Sequence, residues 1–172
     1  MEKKSDIVFL MGMPGSGKSY WGRVLTNEYL FNYVDLDHAI EQHEQKTISE
    51  IFEEKDEAYF RTLETEILKN ITAEEEQPLL VSVGGGTPCF HNNLDFMKSN
   101  GTTIYLSASV QTLVEKLKTD FLKRPLLADQ ETFMEEKLKK LLNQRKHYYE
   151  QADHILQVET LNLDDFKKII PA

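Results

Sequence analysis

Residues 12–19 read G-M-P-G-S-G-K-S, directly after the apolar run Ile7-Val8-Phe9-Leu10-Met11. This fits the P-loop pattern G-x-x-x-x-G-K-[ST], and it stands where that pattern belongs, after a strand-like run and before a helix-like one. A strand must end here, a tight glycine loop must follow, and a helix must start at once. Gly12, Gly15 and Gly17 let the main chain wrap closely around a phosphate, with several N–H groups aimed inward. From its place in the pattern, Lys18 reaches the β- and γ-phosphates, and the Ser19 hydroxyl suits Mg²⁺. The helix beginning near Lys18 adds its dipole to the same anion site.

Beyond the loop the pattern alternates strand and helix to the C-terminal end. Strands are predicted at residues 7–11, 31–34, 79–83, 102–106 and 154–158. Helices are predicted at 19–30, 38–45, 58–71, 92–99, 110–118, 133–150 and 163–170, with a short turn from Thr47 or Ser49 through Phe52 and a break at 122–131. Trp21 is expected to pack on the core side of the first helix. Short apolar strands separated by helices give a parallel sheet covered on both faces, and right-handed crossovers make it doubly wound. The expectation is one α/β domain over 1–172, a five-stranded parallel sheet flanked by helices, with ligands at the carboxyl ends of its strands.

Composition narrows the function. The net charge is −9, which speaks against a nucleic-acid scaffold and requires any phosphate site to be a local concentration of cations and N–H groups. No apolar run approaches a membrane span, and the N-terminus lacks an export-type apolar stretch, so a cytoplasmic location is expected. Cys89 is the only cysteine and is read as a buried or half-buried thiol. The five histidines show no metal-type spacing, so no transition metal is expected. An N-K-x-D base-reading motif is absent, and the third strand ends in Ser82-Val83-Gly84 where a motor ATPase needs an acidic residue. A compact small-molecule kinase is left.

Five further features carry chemistry. Asp35-Leu36-Asp37 ends the second strand. On an extended segment both carboxylates point the same way, one toward Mg²⁺ through water and one toward a substrate hydroxyl; the alternative is a strand end that caps the next helix. Phe60-Arg61-Thr62-Leu63-Glu64 puts Arg61 and Glu64 on one helix face, either a guanidinium braced to grip a carboxylate or an ordinary ion pair. Gly84-Gly85-Gly86 lets the main chain approach a ligand, or simply ends a strand. Lys123-Arg124-Pro125-Leu126-Leu127 reads as a basic lid or a plain connection, and Arg145 as a second anion grip or a solvated helix arginine.

In this order and spacing, the P-loop, the D-x-D, the F-R-x-x-E, the G-G-G, the R-P-L-L and the motif from Arg145 through Tyr149 to Ala152-Asp153 resemble the shikimate kinase family over nearly the whole chain. The resemblance implies transfer of the ATP γ-phosphoryl group to the 3-hydroxyl of shikimate, in the pathway to chorismate and aromatic amino acids. It implies an ATP site made by Gly12, Gly15, Ser16, Gly17, Lys18, Ser19, Tyr20 and Arg124. Mg²⁺ would lie at Ser19, with Asp35 bound through water. Asp37, Arg61, Arg145, Gly84, Gly85 and Gly86 would bind shikimate. Lys18, Asp37 and Arg124 would act in the transfer, with Asp37 as the candidate base. Residues from about 35 to 65 would form a substrate-binding region, and about 119–131 a lid. A monomer acting on ATP and shikimate is expected, with no nucleic acid or membrane partner.

Three positions depart from the family pattern. Asp56-Glu57 stands where Gly-Glu is usual, and Lys146-His147-Tyr148 where a Pro-Leu-Tyr type is common. Leu117 occupies the place, seven residues before the lid arginine, of an arginine beside the adenine, with Lys116 and Lys118 on either side of it. Two rivals are a gluconate-type sugar-acid kinase and a nucleotide-binding regulator without turnover. The glycine triplet and F-R-x-x-E speak against the first, and intact Lys18, Ser19, Asp35 and Asp37 against the second.

Overall fold

An apolar run without alternation, such as residues 7–11, needs cover on both faces, and it takes the centre of the sheet. The computed structural model describes residues 6–74, 78–120 and 128–170. The elements run β1 (Ile7–Met11), α1 (Lys18–Tyr29), β2 (Asn32–Asp35), α2 (Leu36–Glu44), α3 (Ile48–Glu54) and α4 (Glu57–Glu74). After β3 (Leu79–Ser82) and a 3-10 turn (Thr87–Cys89) come α5 (Asn93–Asn100), β4 (Thr102–Ser107), α6 (Val110–Asp120), α7 (Ala128–Tyr149), β5 (His154–Gln157) and α8 (Leu163–Lys167). The strand order is β2-β3-β1-β4-β5, and every pairing is parallel.

Alternation along β1 divides the core. Ile7, Phe9 and Met11 join a layer with residues of α2 to α7, while Val8 and Leu10 join Leu25 of α1 and Phe166 of α8 on the other face. Trp21 packs from α1 onto Phe166, ring centroids 4.9 Å apart. Gly22 of α1 is fixed by space: a β-carbon there would lie 2.4 Å from the Tyr33 ring of β2. Among the described residues no helix is long and apolar enough to cross a membrane.

Several boundaries differ from those expected, and at α3 local capping decides them. The turn expected from Thr47 is a seven-residue helix, because Thr47 and Glu50 form a reciprocal capping box. The second strand runs one residue further than expected, into Asp35. The helix expected from 133 starts at Ala128, and the closing helix ends at Lys167.

Asp153 fastens the C-terminal half of the sheet. Its Oδ2 accepts from the Thr103 main-chain N–H and hydroxyl, both at 2.9 Å, and its own N–H donates to Thr103 Oγ1 at 2.9 Å. This locks the exit of α7 to β4. Asp153→Ala is expected to lower the unfolding free energy in urea by about 2 kcal/mol, the range for hydrogen bonds to a charged group, with no change in any KM. A stability loss below a few tenths of a kcal/mol would contradict this role.

Candidate active site

The P-loop leaves the carboxyl end of β1 and enters α1 through Gly17, which caps the helix in the left-handed region (φ 90°) with no side-chain bond to the first-turn N–H groups. Those donors are left to an anion. Gly12 and Gly15 also have positive φ (152° and 82°). At Gly12 a β-carbon would lie 2.7 Å from the Leu106 carbonyl of β4. Lys18 folds back over the loop, donating from Nζ to the carbonyls of Gly12 (2.8 Å) and Met13 (3.0 Å). Burial of its ammonium lowers the pKa to about 8 against the pull of Asp37 and Asp35. Ser16 is fully buried, and its Oγ has no hydrogen-bond partner among the described residues. Its side chain packs against Gly12, 2.9 Å from where a β-carbon there would be. Tyr20 is exposed at the rim.

The D-x-D geometry differs from the extended one expected. Asp35 ends β2 and caps α2, its Oδ1 accepting from the His38 N–H at 3.2 Å. Asp37 lies in the first turn of α2. The capping alternative therefore describes Asp35, and both carboxylates still line one cleft of about 530 Å³ with Lys18 and Ser19. Ser19 Oγ donates to Asp35 Oδ2 at 3.1 Å. Asp37 is open to the cleft but crowded by protein, and that desolvation, with Asp35 and Glu64 adding repulsion, raises its pKa to about 6.

The glycine triplet is the point where the polar side chains meet. A β-carbon on Gly84 would lie 2.9 Å from Asp37 Oδ1 and 3.1 Å from Glu64 Oε1. One on Gly85 would lie 2.9 Å from an Arg145 Nη, and one on Gly86 2.6 Å from an Arg61 Nη. The three residues make room for the protein's own carboxylate and guanidinium groups, a need that concerns space and not φ. Arg61 is held in place by Glu64 (Nη1–Oε2 2.9 Å) and by Glu57 (3.3 Å), and it lies over the Phe90 ring at 4.2 Å. The structure thus brings Arg61 and Arg145 to neighbouring glycines, next to the glycine that faces Asp37. Arg124 lies outside the described residues.

Several residues of the site were not singled out from the sequence. Thr87 Oγ1 donates to Glu64 Oε1 at 2.6 Å, so the carboxylate bracing Arg61 is itself braced. Tyr149 donates its hydroxyl to the Gly85 carbonyl and stacks on Tyr105. Burial pushes its phenol far up, so it stays a donor. Tyr33 donates to Ser82 Oγ at 3.1 Å and lies 3.5 Å from Asp35 Oδ2, and Ser82 donates to the Lys18 carbonyl at 3.3 Å. Only Tyr149 carried a signal, its place in the Arg145 motif. Cys89 is half-buried, and burial raises its thiol pKa.

The cleft is lined by groups suited to hold and neutralise an anion, a glycine loop at a helix N-terminus and a lysine, and by a pair of carboxylates. Phosphoryl transfer from a nucleoside triphosphate to a small acceptor is catalysed in this way, and the fold and the site together define a P-loop small-molecule kinase. A family model described as shikimate kinase matches residues 14–172. The chain belongs to the shikimate kinase family. It is 40% identical over 150 residues to a shikimate kinase of Sulfurihydrogenibium sp. (strain YO3AOP1), covering 85% of this chain and 84% of that one. It is 39% identical to one of Chlorobium phaeobacteroides, covering 92% and 85%. A 1.7 Å crystal structure of shikimate kinase from Bacteroides thetaiotaomicron superposes with a TM-score of 0.87 at 28% identity, covering 96% and 98%. Shikimate kinase from Acinetobacter baumannii in complex with shikimate superposes with a TM-score of 0.78 at 32% identity, covering 95% and 90%.

Proposed function

We propose that the chain transfers the γ-phosphoryl group of ATP to the 3-hydroxyl of shikimate, giving ADP and shikimate 3-phosphate for chorismate and aromatic amino-acid synthesis. The observation that carries this is the row Asp37, Arg145 and Arg61 set against Gly84, Gly85 and Gly86. It suits a small ring acid with hydroxyls at one end and a carboxylate at the other. Arg61 and Arg145 take the carboxylate, since guanidinium forks match its geometry. Asp37 then faces a ring hydroxyl.

The nucleotide lies along the cleft, its phosphates on the N–H groups of the P-loop. Lys18 exchanges the Gly12 and Met13 carbonyls for phosphate oxygens. Asp37 accepts the proton of the acceptor hydroxyl as that oxygen bonds to the γ-phosphorus, while the bond from phosphorus to the β–γ bridging oxygen breaks and ADP leaves. Ser19 Oγ and Asp35 Oδ2 are hard oxygen donors 3.1 Å apart at the mouth of the cradle, a pair that suits Mg²⁺, with Asp35 acting through water. When bound, Mg²⁺ neutralises charge on the β- and γ-phosphate oxygens. Residues from about 35 to 65 receive the acceptor; the lid read at about 119–131, with Arg124, falls for the most part outside the described residues, its ends lying in α6 and α7. The enzyme is a cytoplasmic monomer.

The reading is tested by locating the phosphate in the product. Proton–phosphorus correlation NMR of the reaction mixture is expected to place it on carbon 3 of the ring. Phosphate on another hydroxyl would overturn the orientation set by the two arginines and Asp37.

A further inference from the structure

Leu117 stands where the family pattern places an arginine, and the structure shows what its two lysine neighbours do. Lys118 reaches outward to Glu131 of α7. Lys116 has no carboxylate partner among the described residues and lines the cleft. Its Nζ lies 3.5 Å from where a β-carbon of Gly17 would be, on the residue that caps α1 with unsatisfied N–H groups.

The helix carrying Lys116 is pinned at both ends of its inner face. Ser109 Oγ accepts from the Thr112 N–H at 3.1 Å, and Glu159 accepts from the Ser109 N–H and the Thr112 hydroxyl, both at 2.8 Å. Leu113 and Val114 are buried in the core. One turn on, the Leu117 side chain packs against Gly15, 3.0 Å from its β-carbon position. Leucine at 117 thus seats α6 on the P-loop, and Lys116 follows on the adjoining face with its ammonium at the loop's outer edge.

We propose that Lys116 is a ligand of the nucleotide's polyphosphate, a second cation in the cleft that Lys18 lines. An ammonium is a compact point charge suited to phosphate oxygens, whereas the planar stacking of a guanidinium on a base is not open to it. The proposal rests on the reading of this cleft as the ATP site.

Binding of ADP and of inorganic tripolyphosphate, each with Mg²⁺, is to be measured by titration calorimetry for the full chain and for Lys116→Met, Lys116→Arg and Lys118→Met. Lys116→Met is expected to raise both dissociation constants about tenfold, the effect of one charge-assisted contact. Lys116→Arg should stay within about threefold of the unaltered chain, and Lys118→Met should leave both constants unchanged. Dissociation constants for Lys116→Met equal to those of the unaltered chain would overturn the proposal. So would a loss for ADP alone, which would put the lysine on the nucleoside. Failure of the unaltered chain to bind ADP would instead sink the ATP site itself, and the lysine's role with it.

Discussion

Asp37→Asn is expected to cut kcat by about 10²- to 10⁴-fold, the range that a positioned general base contributes. The fold should survive, because the change removes a charge that Asp35 and Glu64 already repel. Asn keeps the size of the side chain and can still bond to a hydroxyl, but it cannot accept its proton. The pH profile separates these roles. With its pKa at about 6, Asp37 is ionised at neutral pH and loses its base form as the pH falls below that value. For the unaltered enzyme kcat/KM for shikimate should therefore drop about tenfold per pH unit below pH 6, and Asp37→Asn should lack that limb. Turnover within a few-fold of normal, or an acid limb that survives the substitution, would remove Asp37 from proton transfer.

Arg61 gives the second large effect, and the choice of variant matters. Glu64 is 1% exposed and is held by Arg61 and Thr87. Arg61→Ala would leave that carboxylate buried beside Asp37 and cost about 3–5 kcal/mol of stability, so lost activity would not be informative. Arg61→Lys keeps the charge but loses the forked geometry. It is expected to raise the KM for shikimate about 10- to 100-fold while the Kd for ADP stays within twofold. The double variant Arg61→Met with Glu64→Gln, which removes both charges, should recover stability without recovering the KM. Weakened ADP binding with normal shikimate affinity would contradict the assignment.

The fold was legible because β1, β3 and β4 are apolar runs bounded by clear turn residues, and because the P-loop fixes what precedes and follows it. Helix boundaries were less legible. The capping box that turns 48–54 into a helix depends on contacts that periodicity does not register. In the site, Lys18 and Ser19 follow from the P-loop spacing, whereas spacing alone left Arg61, Arg124 and Arg145 open between anion grips and ordinary surface or loop arginines, and only the family resemblance chose between them. The geometry of Asp37 could not be read from spacing, because one residue decides whether a strand continues or a helix begins, and Asp35 turns the chain into α2 by capping it. The glycine triplet was recognised as an opening, but what it opens for was hidden. Asp37, Arg145 and Arg61 come from three separate helices, and only the assembled sheet sets them against consecutive glycines. Thr87, Ser82 and Tyr33 look like ordinary polar residues in the sequence because their importance lies in whom they touch.

The most direct measurement is ADP production from Mg-ATP with shikimate, quinate, gluconate or no acceptor. Strong turnover with shikimate alone is the predicted result. Turnover with gluconate in its place would keep the P-loop and the fold but contradict the acceptor pocket built on Asp37, Arg61 and Arg145; ATP binding without turnover on any of them would contradict the assignment as a kinase of this acceptor class.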